Sequence, residues 1–226
     1  MSAPGGGPAG GGDDRGDAGR RGAGVLGPRC PRCSKPPAAC MCDLAAPQPA
    51  RHRVLVLQHP QESRQPLSSA PLIPLALAGA VVRVGLSWRN LGTALGHDPG
   101  GTWGVLYLGK KDTPPTGALG FVTRDGAPAA PTPLAGIVAL DGTWSQARTL
   151  WWRNPWLLKL RRLVLAPGRT SRYGDLRLAA RAEGLSTLEA VAETLRALGE
   201  PPAVPAALEQ LFERFLARWS AALSAP

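Results

Sequence analysis

Hydrophobic residues of this 226-residue chain are grouped in five short apolar runs separated by polar segments. The runs cover residues 53–58, 81–88, 103–108, 136–140 and 162–166. Continuous apolar runs of about four to eight residues predict strands that are covered on both faces, as in a parallel sheet. We therefore predict five parallel strands at the centre of the fold.

Helical patterns alternate with these runs. Apolar residues 67–80 are interrupted by prolines, and residues 143–154 form a second helical stretch that ends before Pro155. Ser186 and Glu189 begin a third helix over residues 186–198 as a capping box, which explains both residues without a catalytic role. Residues 205–220 have the spacing of an amphipathic helix. Alternating strands and helices predict an α/β fold with C-terminal helices.

Polar clusters follow four of the five predicted strands: HPQE at 59–62, GKKD at 109–112, DGTW at 141–144 and PGRTSRY at 167–173. Ligands of parallel sheets bind beyond the carboxyl ends of the strands, so these clusters predict one site. No GxGxxG, Walker loop or GxSxG elbow follows a strand. Their absence disfavours a dinucleotide-binding enzyme, a P-loop NTPase and a serine hydrolase.

Composition divides the chain into a tail and a domain. Much of the glycine excess lies in residues 1–29, which we predict to be a disordered Gly/Arg-rich tail. Residues 30–226 form the domain, with the α/β core in residues 51–226. No apolar run approaches the length of a membrane span, and no apolar signal region follows the first charges, so we expect a cytoplasmic protein without a membrane partner.

Positive charge is concentrated in residues 141–181, which carry nine basic and two acidic side chains of a chain with net charge +10. This concentration favours a nucleic-acid partner. An arginine bias from GC-rich coding and, near residue 172, a merely exposed basic loop are the alternatives. The candidate nucleic-acid contacts are Arg148, Arg153, Arg169, Arg172 and Arg177.

Four of the seven tryptophans lie between residues 144 and 156. Trp144, Trp151 and Trp152 recur at helical spacing, so some of them belong to the core. Others, interleaved with Arg148 and Arg153, are placed to stack on bases. We expect about two of the four in the core.

All four cysteines lie in one short segment, at Cys30, Cys33, Cys40 and Cys42. Four thiolates complete a tetrahedral zinc shell, and a CxxC turn directs two sulfurs at one point. Disulfides are disfavoured in a reducing cytosol, and a redox CxxC would normally open a helix. We predict a structural zinc loop over residues 30–42, with no open position for a catalytic metal.

Three polar groups near the predicted strand ends are candidates for a site. Asp141 suits a general base if burial raises its pKa, or a carboxylate that stabilises a helix N-terminus. His59 and Glu62 suit hydrogen bonds to a polar ligand better than a metal, since no second histidine lies nearby. The hydroxyls of Ser171 and Tyr173 suit a phosphate or carboxylate.

The ordered motifs resemble the DTW-domain family, the tRNA-uridine aminocarboxypropyltransferases. They are CxxC and CxC in residues 30–42, HPxE at 59–62, DGTWSQA at 141–147, SxY at 171–173 and LSTLEA at 185–190. The resemblance covers residues 28–220. It implies a SPOUT-like, mostly parallel and knotted α/β fold.

The resemblance also implies a reaction. S-adenosylmethionine would donate its 3-amino-3-carboxypropyl group to N3 of a tRNA uridine, and methylthioadenosine would leave. Asp141 matches the signature aspartate and is assigned the deprotonation of N3. The motif positions implied to bind the donor or to form the wall of its pocket are Trp144, Ser171, Tyr173, His59 and Glu62.

The chain departs from the family at two places. Residues 66–71 read PLSSAP where members often carry a TNTGR-like stretch, and Arg177 follows Tyr173 by four residues instead of three. Both departures concern contacts to tRNA. Two other functions fit the same features: a SPOUT-type RNA methyltransferase, and a zinc-containing RNA-binding module without catalytic activity.

Overall fold

The computed structural model describes residues 28–106, 119–166, 168–177 and 184–224. The predicted tail, up to residue 27, and the GKKD cluster lie outside these residues. The strands are β1 (Arg53–Gln58), β2 (Val81–Val84), β3 (Trp103–Leu106), β4 (Leu119–Val122), β5 (Pro128–Ala129), β6 (Gly136–Asp141) and β7 (Arg161–Leu165). The α-helices are α1 (Pro60–Ser63), α2 (Ile73–Ala76), α3 (Leu91–Leu95), α4 (Trp144–Arg153), α5 (Thr187–Ala197) and α6 (Ala203–Ser224).

All seven strands form one sheet in the order β2-β1-β6-β3-β7-β4-β5. The first five are parallel, whereas β4 pairs antiparallel with β7 and with β5. The prediction of a mixed α/β fold with a mostly parallel sheet and C-terminal helices is confirmed. The register pairs Gln58 with Asp141, so the ends of β1 and β6 lie side by side.

Helices cover the sheet on both faces, which explains the continuous apolar runs of its central strands. One apolar cluster includes α2, α5, α6 and the cysteine segment, and the other includes α3 and α4. Strands β1 and β6 contribute to both clusters, because successive side chains point to opposite faces.

Several elements differ from the predictions. Strands β4 and β5 were missed because they are short and only partly buried, so they carry no apolar run. Strand β2 ends at Val84, four residues early, because its pairing partner β1 ends at Gln58, and the Gly85 amide makes the last bond to that residue. Residues 67–80 form only a 3-10 turn and the short α2. In the described part of the chain, no helix combines the length and apolarity needed to cross a bilayer.

Candidate active site at the ends of strands β1 and β6

Asp141 is the last residue of β6 and is only 2% exposed. Its carboxylate accepts hydrogen bonds from Gln58 Nε2 at 2.8 Å, from the Thr187 hydroxyl and, at 3.5 Å, from Ser68 Oγ. A buried carboxylate is stable only when such donors replace its water. The site therefore joins the ends of two central strands to the segment around Ser68 and to the start of α5.

The three donors to Asp141 were not predicted. Gln58 Nε2 also donates to Ser68 Oγ at 2.8 Å, so the donors are linked to one another. Ser68 belongs to the PLSSAP stretch, whose neighbour Ser69 accepts from the Leu188 amide of α5. Two sequence signals pointed here: Gln58 is the one polar residue that ends a predicted apolar run, and Thr187 lies in the LSTLEA motif.

His59 is the N-cap of the short helix α1, and Glu62 lies within that helix. The His59 amide donates to the Asp141 carbonyl at 2.9 Å, and its Nδ1 accepts from the Gln61 amide as the N-cap of α1. Burial lowers the pKa of His59, which favours the neutral ring. Glu62 is almost fully buried. The structure therefore brings His59 to the edge of the site and buries Glu62 in the protein interior.

Helix α4 begins directly after the site, and a capping box stabilises its N-terminus. Thr143 Oγ1 accepts from the Gln146 amide, and Gln146 Oε1 accepts from the Thr143 amide at 2.8 Å. Gln146 Nε2 also donates to Gln61 of α1. A Cβ at Gly142 would lie 2.7 Å from the Cβ of Gln146, so only glycine allows this close approach. The N-terminus of α4 is thereby held against α1.

The tryptophans of this region divide as expected. Trp156 is buried and donates to the Trp88 carbonyl, and Trp151 packs against the apolar cluster of α3 and α4. Trp144 and Trp152 are 58% and 70% exposed. The prediction that about two of the four belong to the core is confirmed.

The hydroxyls of Ser171 and Tyr173 are already used within the protein. Ser171 Oγ donates to Glu189 at 2.6 Å. The Tyr173 hydroxyl donates to the Leu67 carbonyl, and its ring packs edge-on against Phe212 at 5.0 Å. The SxY motif therefore supports the segment beside Ser68 and does not present free hydroxyls.

Glu189 of α5 has a fully buried carboxylate. Besides Ser171, it accepts from Arg169 Nη1 at 2.7 Å and from the amides of Arg172 and Ser186, both at 2.9 Å. Burial alone would raise the pKa of Glu189, but the hydrogen bonds from Ser171, Arg172 and Arg169 outweigh burial and hold the pKa below its usual value. Glu189 is thus more than a helix cap.

The predicted nucleic-acid contacts fall into two sets. Arg169 pairs with glutamates of α5 and α6, and Arg172 pairs with Glu213 at 3.0 Å. Arg148 and Arg153 are exposed and form no ion pair with any side chain that the structure describes. The backbone of Arg177 ends a 3-10 turn, and its side chain lies outside what is described.

The four cysteine sulfurs lie within 4.8 Å of one another. The Sγ atoms of Cys30 and Cys42, and those of Cys33 and Cys40, are 3.6 Å apart, too far for a disulfide. Tetrahedral zinc with Zn–S bonds of about 2.3 Å separates its sulfurs by about 3.8 Å, so the cluster fits the ion. Backbone amides of Cys33 and Arg32 lower the pKa of Cys30 to about 6, whereas burial raises the pKa of Cys33 and of Cys42.

Lys35 connects the cysteine segment to the site. Its fully buried ammonium donates to the carbonyls of Pro66 and Ser68 and lies 4.5 Å from the ring centre of Phe215 in α6. Arg218 of α6 bonds to the carbonyl of Cys40. The cysteine segment is therefore packed between α6 and the segment that positions Ser68.

The DTW domain family matches residues 27–220. The chain is 29% identical over 178 residues to tRNA-uridine aminocarboxypropyltransferase 2 of Mus musculus. The matched region covers 76% of this chain and 56% of that protein. It is 27% identical over 194 residues to the protein of the same name from Drosophila melanogaster, covering 77% of this chain and 68% of the relative. The chain thus spans little more than half of the mouse relative. No solved structure matches the chain significantly.

Proposed function

Since the chain belongs to the DTW domain family, we propose that it transfers the 3-amino-3-carboxypropyl group of S-adenosylmethionine to N3 of a tRNA uridine. A bond forms between N3 and the Cγ of the methionine moiety, and the bond from Cγ to sulfur breaks. Methylthioadenosine leaves with the electron pair, and the N3 proton passes to a base. The observation that carries the proposal is the buried Asp141 of the DGTW motif, where the ends of β1 and β6 meet.

The position of Asp141 supports this reaction. Ligands of parallel sheets bind at this edge, and exposed Arg148 and Arg153 on the adjacent α4 suit an RNA substrate. A sulfonium is a good leaving group, so orientation of the substrates and removal of the N3 proton should dominate the rate. His59 borders the same edge, and we assign it a contact to the donor, whereas the exposed ring of Trp144 suits the RNA substrate.

The remaining motif residues act through the protein interior. In this proposal Glu62, Ser171 and Tyr173 position the segments around the pocket, since their side chains are buried or bonded internally. We also propose the knotted SPOUT-like topology and a cytoplasmic location. The mostly parallel sheet supports the topology, and the cysteine sulfurs, which lie too far apart for disulfides, support the location. A crystal structure of the complex with methylthioadenosine would test the topology, and cell fractionation would test the location.

The function is tested by incubating the purified protein with S-adenosylmethionine and unmodified tRNA. We expect methylthioadenosine in solution and a uridine nucleoside whose mass has increased by one aminocarboxypropyl group. Release of S-adenosylhomocysteine would instead identify a methyltransferase. Retained tRNA binding with no product at all would identify a non-catalytic RNA-binding module.

Asp141 has two candidate roles, base and positioning group, because its carboxylate already holds Gln58 and Thr187 in place. Asp141→Asn separates a base from a positioning group. If Asp141 is the base, the variant should regain turnover by about tenfold per pH unit as hydroxide takes over deprotonation of N3. A variant that stays slow at every pH would show that Asp141 positions its neighbours.

We propose that Cys30, Cys33, Cys40 and Cys42 hold one structural zinc ion. The bound ion would join the two halves of the cysteine segment and so stabilise the packing of Lys35 beneath Ser68. We expect one zinc per chain after dialysis and less after Cys33→Ser. A folded wild-type protein that retains no zinc would refute the site.

A further inference from the structure

Three side chains on the solvent face of α4 form a row that we call the α4 ridge: Trp144, Arg148 and Trp152. Residues four apart in an α-helix are turned by about 40° and separated by about 6 Å along the axis, so the three form one row inclined to the helix axis. Trp144 and Trp152 are 58% and 70% exposed, and Arg148 is exposed between them. The ridge begins three residues after Asp141 and leads away from it for about 12 Å.

The exposed tryptophans of this ridge pack against no apolar cluster of the described residues. Four large hydrophobic side chains are exposed in that part of the chain, and the ridge holds the only two aromatic ones. Trp151 and Trp156 show that the same segment buries aromatic rings where packing requires them. Exposed apolar side chains that cluster mark interaction sites.

The charge around the ridge selects the kind of partner. Helix α4 itself carries two arginines, Arg148 and Arg153, and no acidic side chain. Arg148 and the neighbouring Arg153 form no ion pair with any described side chain. An aromatic surface with free guanidinium groups is complementary to nucleotides, which present flat bases beside negative phosphates.

We propose that the α4 ridge binds an unpaired stretch of tRNA, with bases stacked on Trp144 and Trp152 and a phosphate at Arg148. The identity of the RNA rests on the proposed function. Only unpaired nucleotides expose base faces to a protein, because a duplex keeps its bases stacked on each other. The nucleotides flanking the target uridine would lie along the ridge while the uridine reaches the end of β6.

Trp152 tests the stacking, because it lies at the far end of the ridge from Asp141. With labelled tRNA, Trp152→Ala should weaken binding by about tenfold, and Trp152→Phe should retain most of the affinity. Leu223→Ala removes a similarly exposed apolar side chain from α6 and should have no effect. Unchanged affinity of Trp152→Ala, or an equal loss in Trp152→Phe, would overturn the proposal.

Arg148 tests the phosphate contact against a matched control. Arg148→Gln and Arg214→Gln each remove one positive charge from an exposed helical position, on α4 and α6 respectively. Only Arg148→Gln should reduce the slope of log affinity against log salt, by about one. Equal slopes in the two variants would show that overall charge, not the ridge, attracts the RNA.

Two further measurements distinguish base stacking on the ridge from duplex binding and from dimer formation. Trp152→Ala should lose as much affinity for a single-stranded RNA as for tRNA, and little affinity for a blunt-ended duplex. An equal loss of affinity for the duplex would overturn base stacking on the ridge. If sedimentation shows a wild-type dimer that Trp152→Ala dissociates, the ridge is a protein contact and the proposal fails.

The binding assays need no S-adenosylmethionine, so the two proposals can fail separately. Ridge-dependent tRNA binding without release of methylthioadenosine would support the ridge and refute the transferase. Methylthioadenosine release with normal tRNA binding by Trp152→Ala would refute only the ridge.

Discussion

Four arginines of residues 141–181 lie in two regions with opposite surroundings. On α4, Arg148 and Arg153 are exposed, and no described carboxylate pairs with them. In residues 168–173, Arg169 alone contacts three glutamates, which lie 20, 24 and 40 residues away in sequence. The positive charge of a segment therefore does not reveal which of its arginines are free to bind a ligand.

This difference has an electrostatic consequence. A guanidinium that is already paired with carboxylates releases no counterions from RNA and gains little from a phosphate. The paired group around Glu189 instead joins the loop of residues 168–173 to α5 and α6. We infer that the first region serves the ligand and the second serves the fold.

The largest expected effect comes from Glu189, the buried centre of the paired region. Glu189→Ala leaves Arg169 Nη1, the Ser171 hydroxyl and two amides without their acceptor and should lower the free energy of unfolding by about 3–5 kcal/mol. Chemical denaturation measures the loss. Glu213→Gln is the control, since that side chain is 55% exposed and pairs only with Arg172 among described residues, and it should lose less than about 1 kcal/mol. Similar losses in both variants would contradict a structural role centred on Glu189.

Acid should remove the same stabilisation gradually. The pKa of Glu189 is lower in the folded protein than its usual value, so its contribution is complete above the unfolded pKa and declines as pH falls through the folded pKa. The difference in unfolding free energy between wild type and Glu189→Gln should be constant near neutral pH. It should shrink below about pH 4.3, and a difference independent of pH would contradict the assignment.

If the comparison holds, Arg169→Gln and Arg148→Gln should have opposite effects on protein stability and on the salt dependence of tRNA binding. Arg169→Gln should lower stability by about 1–2 kcal/mol, because it breaks partly buried pairs, and should leave the salt dependence of tRNA binding unchanged. Arg148→Gln should do the reverse. Chemical denaturation and salt-dependent tRNA binding, measured on both variants, test this division between RNA-binding and structural arginines. A reduced salt dependence with full stability in Arg169→Gln would contradict it.

The smallest expected effect concerns the attachment of α4. Thr143→Ala removes the capping side chain and should lower the free energy of unfolding by about 1 kcal/mol. Thr149→Ala makes the same chemical change on a partly exposed, non-capping residue of the same helix. A denaturation curve for Thr149→Ala that matches that of Thr143→Ala would contradict the capping assignment.

Much of the fold was predictable because its central strands are apolar on both faces. Strands β1, β6 and β7 were predicted to within one residue, and their buried side chains explain why. Capping residues located α5 as well. Strands β4 and β5 were not predictable, because their residues are partly exposed and depend on antiparallel pairing at the end of the sheet.

The candidate site was predictable only in outline. Polar residues at the ends of strands indicated where Asp141 and His59 would lie. The partners of Asp141 come from Gln58, Ser68 and Thr187, which are 83, 73 and 46 residues away in sequence. Such pairs depend on the register of β1 against β6 and on the docking of α5, which no local pattern contains.

The distance in sequence between Gln58 and Asp141 has a consequence for how the protein is made. During synthesis β1 leaves the ribosome long before its neighbour β6, and the start of α5 follows later still. Closing such long loops is slow, and an unpaired apolar strand is exposed to aggregation meanwhile. The Asp141 hydrogen bonds therefore form only when most of the chain has been translated, so a nascent chain that stops before Thr187 lacks a complete site.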